Sequence, residues 1–425
     1  MRVLIKGGRV IDPANKIDEV MDILVEGTAI ARLAKNIKAE ADKTIDARDK
    51  MVLPGLVDMH VHLREPGRED KETVSSGSRA ALAGGVTSVL AMPNTEPAMD
   101  SAEHLKILKE AIQKGAQANC FICAAITKGR GGEELSDIAG LKRCGAVAIS
   151  DDGASVDSDK LMSEALKQAR KAGLPVIAHS EDKRLSCNGQ VNLGFTSTRL
   201  GLRGISAASE YKRVARDIGL AEKTGCRIHI AHVSCKESVE LIAKARKKGL
   251  KVTCETCPHY FTFSEEAVLG YDTNFKMNPP LRGRDDVAAI RKALADGTID
   301  AIASDHAPHT ENEKDIEFER AEFGVIGLET ELGAAIAELI GNGLLDWSAL
   351  AAKMSLNPSR ILGINKGTLS VGADADIIIV DAEKEWRVSK ENFLSKSKNS
   401  AFIGSRLKGR VEYTLCLGKV HRWNS

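Results

Sequence analysis

Along residues 56 to 308, short apolar and β-branched runs alternate with amphipathic stretches rich in Ala, Lys, Glu and Leu. The runs are LVDMHVHLR, GVTSVLAMP, ANCFICAAI, AVAISDD, LPVIAHSED, RIHIAHVS, KVTCETCPH and AIASDHAP. A run that stays apolar without alternation suits a strand buried on both faces, as in a parallel sheet covered by helices. The stretches between carry helix signals: SDKLMSEALKQARKAG, at 158–173, opens on Ser158 and closes on Gly173. Eight such units predict an α/β fold, a closed (β/α)8 TIM barrel.

The chain ends follow a different period. Residues 1–53 alternate apolar and polar positions between Gly- and Asn-containing turns, which reads as antiparallel sheet, and 365–425 read the same way. Each is too short to build a core alone. The expectation is therefore a barrel over 54–364 flanked by one small β-sandwich domain, its halves supplied by 1–53 and 365–425.

Composition narrows the function classes. Across 425 residues, 60 Lys and Arg oppose 59 Asp and Glu, for a net charge of +1. Such a balance supplies no bulk field for nucleic acid or an anionic membrane, so recognition has to be local. The opening MRVLIKGGRV has no signal-peptide pattern and no apolar run approaches a membrane span, so a cytoplasmic location is expected. Nine cysteines, an odd number without a dense framework, suit a reducing compartment. The C-x-x-C pairs Cys120/Cys123 and Cys254/Cys257 lie in strand-like runs about 130 residues apart, and are read as small core residues rather than a four-thiolate zinc site.

The chemistry is concentrated where strands end. The first run carries His60, His62 and Arg64, the second Asn94, the fourth Asp151 and Asp152, the fifth His179, the sixth His232, and the eighth Asp305 and His309. The C-terminal ends of barrel strands are where such folds build their sites. His60 and His62, two apart on a strand, share a side and can grip one metal ion. One such histidine alone would more often be a core residue bonded to a carbonyl; four at strand ends with two carboxylates favour a metal site. Imidazoles and carboxylates without clustered thiolates suit zinc, with cobalt or manganese as substitutes.

DMHVHLREPG, AMPNTEP, ISDDG, AHSED, HIAHVS, FKMNPPLR and ASDHAPHTENEK, in this order over nearly the whole chain, resemble the amidohydrolase superfamily, and within it the class I dihydroorotases of pyrimidine biosynthesis. The resemblance implies a reversible hydrolysis of the cyclic amide of dihydroorotate to N-carbamoyl-L-aspartate, with two zinc ions per subunit. It implies that His60 and His62 hold one ion and His179 and His232 a second, that Asp305 ligates the first and moves the proton, and that an Asp of SDDG bridges them. Asp152 is the favoured bridge and Asp151 the alternative. No lysine stands in GAVAISDDG to serve as the carboxylated bridge many relatives use. Arg64, Asn94, Asn278 and His309 are assigned by the same resemblance to the substrate carboxylate and ring, and a guanidinium fork matches a carboxylate. A structural alternative for Arg64 is an ion pair with Asp70.

Two positions depart from related sequences, Ser180 for a cysteine and Glu322 for a proline. The family also implies a homodimer or larger assembly and admits a complex with aspartate transcarbamoylase. Some relatives of this class have active-site loops that order only on binding that partner, and 304–324, charged and poor in apolar anchors, is the stretch where such behaviour would lie; whether the chain acts alone or with a partner stays open. The rival readings are an allantoinase or hydantoinase and a non-catalytic homologue scaffolding aspartate transcarbamoylase.

Overall fold

The computed structural model describes residues 1–423. All eight apolar runs form strands: Leu56–Val61, Val86–Ala91, Asn119–Ala124, Ala146–Ile149, Val176–Ala178, Ile228–Ile230, Val252–Thr256 and Ala301–Ile302. They are parallel and lie side by side in chain order. The eighth meets the first through a parallel bridge between Val61 and His306, where the His62 amide donates to the His306 carbonyl at 2.9 Å. That contact closes the barrel.

Helices follow each of the first seven strands: Val74–Ala83, Ala102–Gly115, Ile138–Arg143, Asp159–Ala172, Ala207–Thr224, Lys236–Lys247 and Arg284–Ala295. The fourth shows why the sequence signals work. The Ser158 side chain accepts from the Leu161 amide, and Gly173 ends the helix at φ 72°, a left-handed position that costs glycine least. Its Met162, Ala165, Leu166 and Ala169 are buried at helical spacing and join the layer between helices and sheet. The opposite, inward face of the strands is a separate cluster that includes Val57, Met59, Leu90, Cys123, Ala148, Ile177, Ala231 and Ala301. The seventh strand turns Glu255 to this face, since its neighbour Cys254 belongs to the outer layer.

The two chain ends do fold together. Strands Arg2–Asp12, Ile17–Glu26, Ala29–Ala34, Lys43–Asp46 and Met51–Pro54 join Ile377–Arg387, Arg406–Cys416 and Lys419–Arg422 in one eight-stranded sheet. Val3, Ile23 and Ile30 from one end pack against Ile377, Ile379 and Leu415 from the other, giving the domain a core that neither end could make. The sheet is mixed rather than purely antiparallel as the alternation suggested. Arg2–Asp12 pairs in parallel with both Lys43–Asp46 and Met51–Pro54, because the segment after Ala34 crosses over instead of turning back as a hairpin.

No helix among the described residues is long and apolar enough to cross a membrane. The four cysteines of the two C-x-x-C pairs are all free, and no four-sulfur group is found among the described residues.

Candidate metal centre and substrate pocket

The first strand loses register with the second between Asp58 and Val61. Below this irregularity Val57 and Met59 fill the barrel interior; above it His60 and His62 reach the C-terminal mouth. The ends of the fourth, fifth, sixth and eighth strands bring Asp152, His179, His232 and Asp305 to the same point, and all six side chains are buried.

Asp152 lies at the centre. Its carboxylate is 3.1 Å from His60 Nε2, 3.4 Å from His62 Nε2, 3.5 Å from His179 Nδ1 and 3.7 Å from His232 Nε2. Asp305 Oδ1 lies 3.2 Å from His62 Nε2 and 3.6 Å from His60 Nε2. His179 Nδ1 and His232 Nε2 are 2.8 Å apart. Asp151 turns away, accepting from the amides of Ile126 at 2.8 Å and Thr127 at 3.0 Å and from the Thr127 hydroxyl. Successive residues of an extended strand face opposite ways, and Gly153, at φ 76°, turns the chain directly after them in a region open to glycine.

These groups fit a metal. His60 Nε2 and Asp152 Oδ1 are buried without a hydrogen-bond partner, and such groups in a native core call for an unplaced ion or water. Two atoms each about 2.1 Å from one ion at a tetrahedral angle lie about 3.4 Å apart, which is the spacing found here. His60, His62 and Asp305 form one group with ligand atoms in reach of a common ion, and His60, Asp152 and His232 another. The donor set of imidazole and carboxylate suits zinc.

Three of the four imidazoles are also engaged on their far side. His60 Nδ1 donates to Glu255 at 2.7 Å, and the other Glu255 oxygen lies 3.2 Å from His229 Nε2. His62 Nδ1 donates to Asn94 Oδ1 at 2.7 Å, and His179 Nε2 is 3.4 Å from Glu181. Each contact fixes a tautomer that leaves a lone pair facing the centre. Burial opposes ionisation of Glu255, yet the close approach of His229 and the hydrogen bond from His60 prevail and hold it at about 2. Burial likewise opposes charge on Asp152, but His60, His179 and His232 keep its carboxyl well below the usual range. Arg130 donates to the Asp152 carbonyl at 2.8 Å.

The backbone is strained here. Arg64, His232 and Asp305 have φ of 62°, 35° and 48°, a region costing non-glycine residues of order 1–3 kcal/mol that persists mainly where function requires it.

Beside the cluster stand the expected substrate groups. Arg64 Nε donates to the Pro308 carbonyl at 3.1 Å, and its Nη2 is 3.3 Å from His309 Nε2. Asp70 pairs instead with Arg68, at 2.8 Å. No carboxylate among the described residues lies within ion-pair distance of Arg64, and burial lowers its guanidinium to about 10. Asn278 donates to Glu181 at 3.2 Å, while the Asn94 oxygen is occupied by His62. His309 Nε2 donates to the Phe323 carbonyl at 2.8 Å and its Nδ1 accepts from Lys71 at 3.2 Å. Burial and the nearby Arg64, Lys71 and Lys314 keep it neutral.

Residues 304–324 do have anchors: Phe318 is buried against Val191 and Val268, and lysines hold the backbone. Buried Lys314 donates to the carbonyls of Glu322 at 2.8 Å and Gly324 at 3.0 Å, and buried Lys276 to those of Phe318 at 2.7 Å and Glu319 at 3.0 Å. The Lys276 ammonium also lies 4.5 Å from the Phe323 ring centroid. Glu322 contributes its carbonyl while its side chain is exposed.

Sequence reasoning passed over Glu255, Glu181, Arg130 and His259. His259, with Nε2 buried and unpartnered, can join Cys257 and Asp305 around a common point. The available signal was a charged or imidazole residue inside an otherwise apolar strand run, as in TCETCPH.

A parallel eight-stranded barrel with this cluster at its C-terminal mouth is the architecture of the amidohydrolase class. The L-hydantoinase (dihydropyrimidinase) from Arthrobacter aurescens superposes with a TM-score of 0.89 at 26% identity, covering 98% of this chain and 95% of that one. A D-hydantoinase from a Thermus species shares the fold at TM-score 0.85 and 24% identity, covering 100% and 97%. In sequence, a family model described as dihydro-orotase-like matches residues 49–238. The dihydroorotase of Elusimicrobium minutum is 54% identical over 420 residues, covering 99% of this chain and 97% of that protein, and that of Geotalea daltonii is 51% identical over 421 residues, covering 99% of each. The chain belongs to the dihydroorotase family.

Proposed function

We propose that the protein is a class I dihydroorotase, a hydrolase of the cyclic amide of dihydroorotate that also closes N-carbamoyl-L-aspartate. The observation that carries the reading is Asp152, a strand-four carboxylate within 3.7 Å of all four histidines where no lysine is available, beside an Arg64 with no carboxylate partner among the described residues. Relatives named dihydroorotase at 49–54% identity over 99% of the chain support it. The domain division that suits the site is 1–53 and 365–425 around a barrel of 54–364.

His60, His62 and Asp305 would hold one zinc ion and His179 and His232 a second, with Asp152 shared between them. Such ions, when bound, supply Lewis acidity and bring the pKa of water toward about 7. Arg64 receives the ring carboxylate with two parallel hydrogen bonds, and the backbone at 323–324 and the neutral His309 set the ring against the cluster. The Asn94 amide group, its oxygen already given to His62, keeps its N–H donors for substrate. Asp305 takes the proton of the attacking water and delivers it to the departing amide nitrogen, so the bond to carbon breaks as N–H forms. Ring closure reverses these steps.

The hydantoinase alternative draws on the shared fold, but an uncharged ring leaves half-buried Arg64 without an anion. The deciding experiment is hydrolysis of dihydroorotate by purified protein with quantified zinc, alone and with aspartate transcarbamoylase. Turnover alone supports a self-sufficient enzyme, and turnover only with the partner points to residues 304–324. Turnover of hydantoin but not dihydroorotate, or none with metal bound, rejects the reading.

A further inference from the structure

Away from the mouth, a cavity of about 490 Å3 opens between the first barrel helix and the β domain. Trp386, Trp423, Arg79, Arg410 and Arg422 line it, with Glu329, and none of these belongs to the metal cluster or the groups around it. Its volume suits a small molecule. Trp386 is fixed by a hydrogen bond from Nε1 to the Gly409 carbonyl at 3.0 Å, and Trp423 by one from Nε1 to Thr414 at 3.0 Å. Arg410 stacks on the Trp386 ring, 5.2 Å from its centroid, and Arg422 lies 5.7 Å from the Tyr413 centroid. Among the described residues, none of the three arginines has a carboxylate within 4.0 Å. The one lining carboxylate, Glu329, is occupied by the amides of Leu394 at 2.9 Å and Ser395 at 3.0 Å.

Two anchored indoles interleaved with three guanidiniums without carboxylate partners suit a ligand that carries both a flat ring and several negative charges. Indole faces take an aromatic ring by stacking, and guanidinium forks match phosphate oxygens. We propose that this cavity is a second ligand site, separate from the active site, that binds a nucleoside diphosphate or a molecule of that chemistry.

Two of the three tryptophans of the chain line the cavity, so intrinsic fluorescence reports its occupancy. ADP and UDP are titrated into the zinc-loaded protein, with adenosine and inorganic pyrophosphate as controls for ring and charge alone. Saturable quenching at least about tenfold tighter for a nucleoside diphosphate than for either control is expected, since each control engages only half of the site. Arg79 and Arg422 are exposed, so the double variant R79E/R422E should fold, weaken binding at least about tenfold by charge reversal and leave dihydroorotate hydrolysis unchanged. R79K/R422K, which keeps the charge but not the fork, should fall between. No saturable quenching, equal binding of pyrophosphate and nucleotide, or an affinity indifferent to R79E/R422E would each overturn the proposal.

Discussion

Glu255 gives the sharpest test of how the centre is organised. It is fully buried and accepts from His60 at 2.7 Å, with its other oxygen 3.2 Å from His229. Glu255→Ala leaves the His60 Nδ1–H without an acceptor, and an unsatisfied buried donor costs about 1–3 kcal/mol. Losing the orienting partner of a ligating histidine typically weakens metal binding about 10–100-fold, or about 1.4–2.7 kcal/mol. The two estimates overlap, so E255A should bind zinc about 10–100-fold more weakly at the His60 position. Glu255→Gln keeps a carbonyl oxygen for His60 and turns an N–H toward His229 Nε2, which can accept it once the imidazole proton moves to Nδ1 beside the Thr253 hydroxyl; less than about tenfold is expected. Zinc titrated into metal-free protein against a chromogenic chelator gives both stoichiometry and affinity. If E255A loads zinc like the parent, Glu255 does not set the His60 tautomer and the reasoning fails.

Asp152→Asn should lose bound metal and activity together, whereas Asp151→Asn, which disturbs only hydrogen bonds to Ile126 and Thr127, should keep its metal and lose about 1–2 kcal/mol of stability in thermal unfolding. For Asp305→Asn the expected result is a rate reduced at least about 100-fold with metal still measurable by elemental analysis; near-parent turnover would remove Asp305 as the proton carrier. Arg64→Lys should raise KM for dihydroorotate about tenfold with a smaller change in kcat, because a point charge replaces a fork, and an unchanged KM would mark a structural arginine. Lys314→Ala strands the carbonyl of Glu322 and leaves that of Gly324 with Asn399 alone, at 3.1 Å, so limited proteolysis should cut within 311–324 faster than in the parent protein.

Much of this was legible beforehand because parallel strands buried on both faces need uninterrupted apolar runs, which stand out against amphipathic helices. The runs located strands better than they measured them: AIASDHAP contains a strand of only Ala301–Ile302, since its polar half serves the site. The six cluster residues were visible because ionisable side chains at strand ends break an apolar pattern. Glu255 was hidden by the opposite circumstance, a carboxylate inside a strand whose cysteines suggested another chemistry. Lys276 and Lys314 look like solvent charges in sequence, and only the carbonyls converging on them from elsewhere in the chain make them anchors. The parallel pairing of Arg2–Asp12 was equally invisible, because alternation sets which face is buried and not strand direction.

The shared sheet has a consequence for biosynthesis. Val52 pairs with Ile379, roughly 325 residues later, and at about 5–20 residues per second the ribosome needs on the order of 15 to 65 s to deliver that partner. During this interval Met51–Pro54 presents an unpaired apolar edge, the kind of surface that recruits other strands. The barrel can assemble in the meantime, but the nascent amino-terminal strands wait for the carboxyl terminus to leave the ribosome. Premature termination between about residues 364 and 377 would therefore release a polypeptide whose barrel is complete in sequence while its β domain is left open and prone to aggregate.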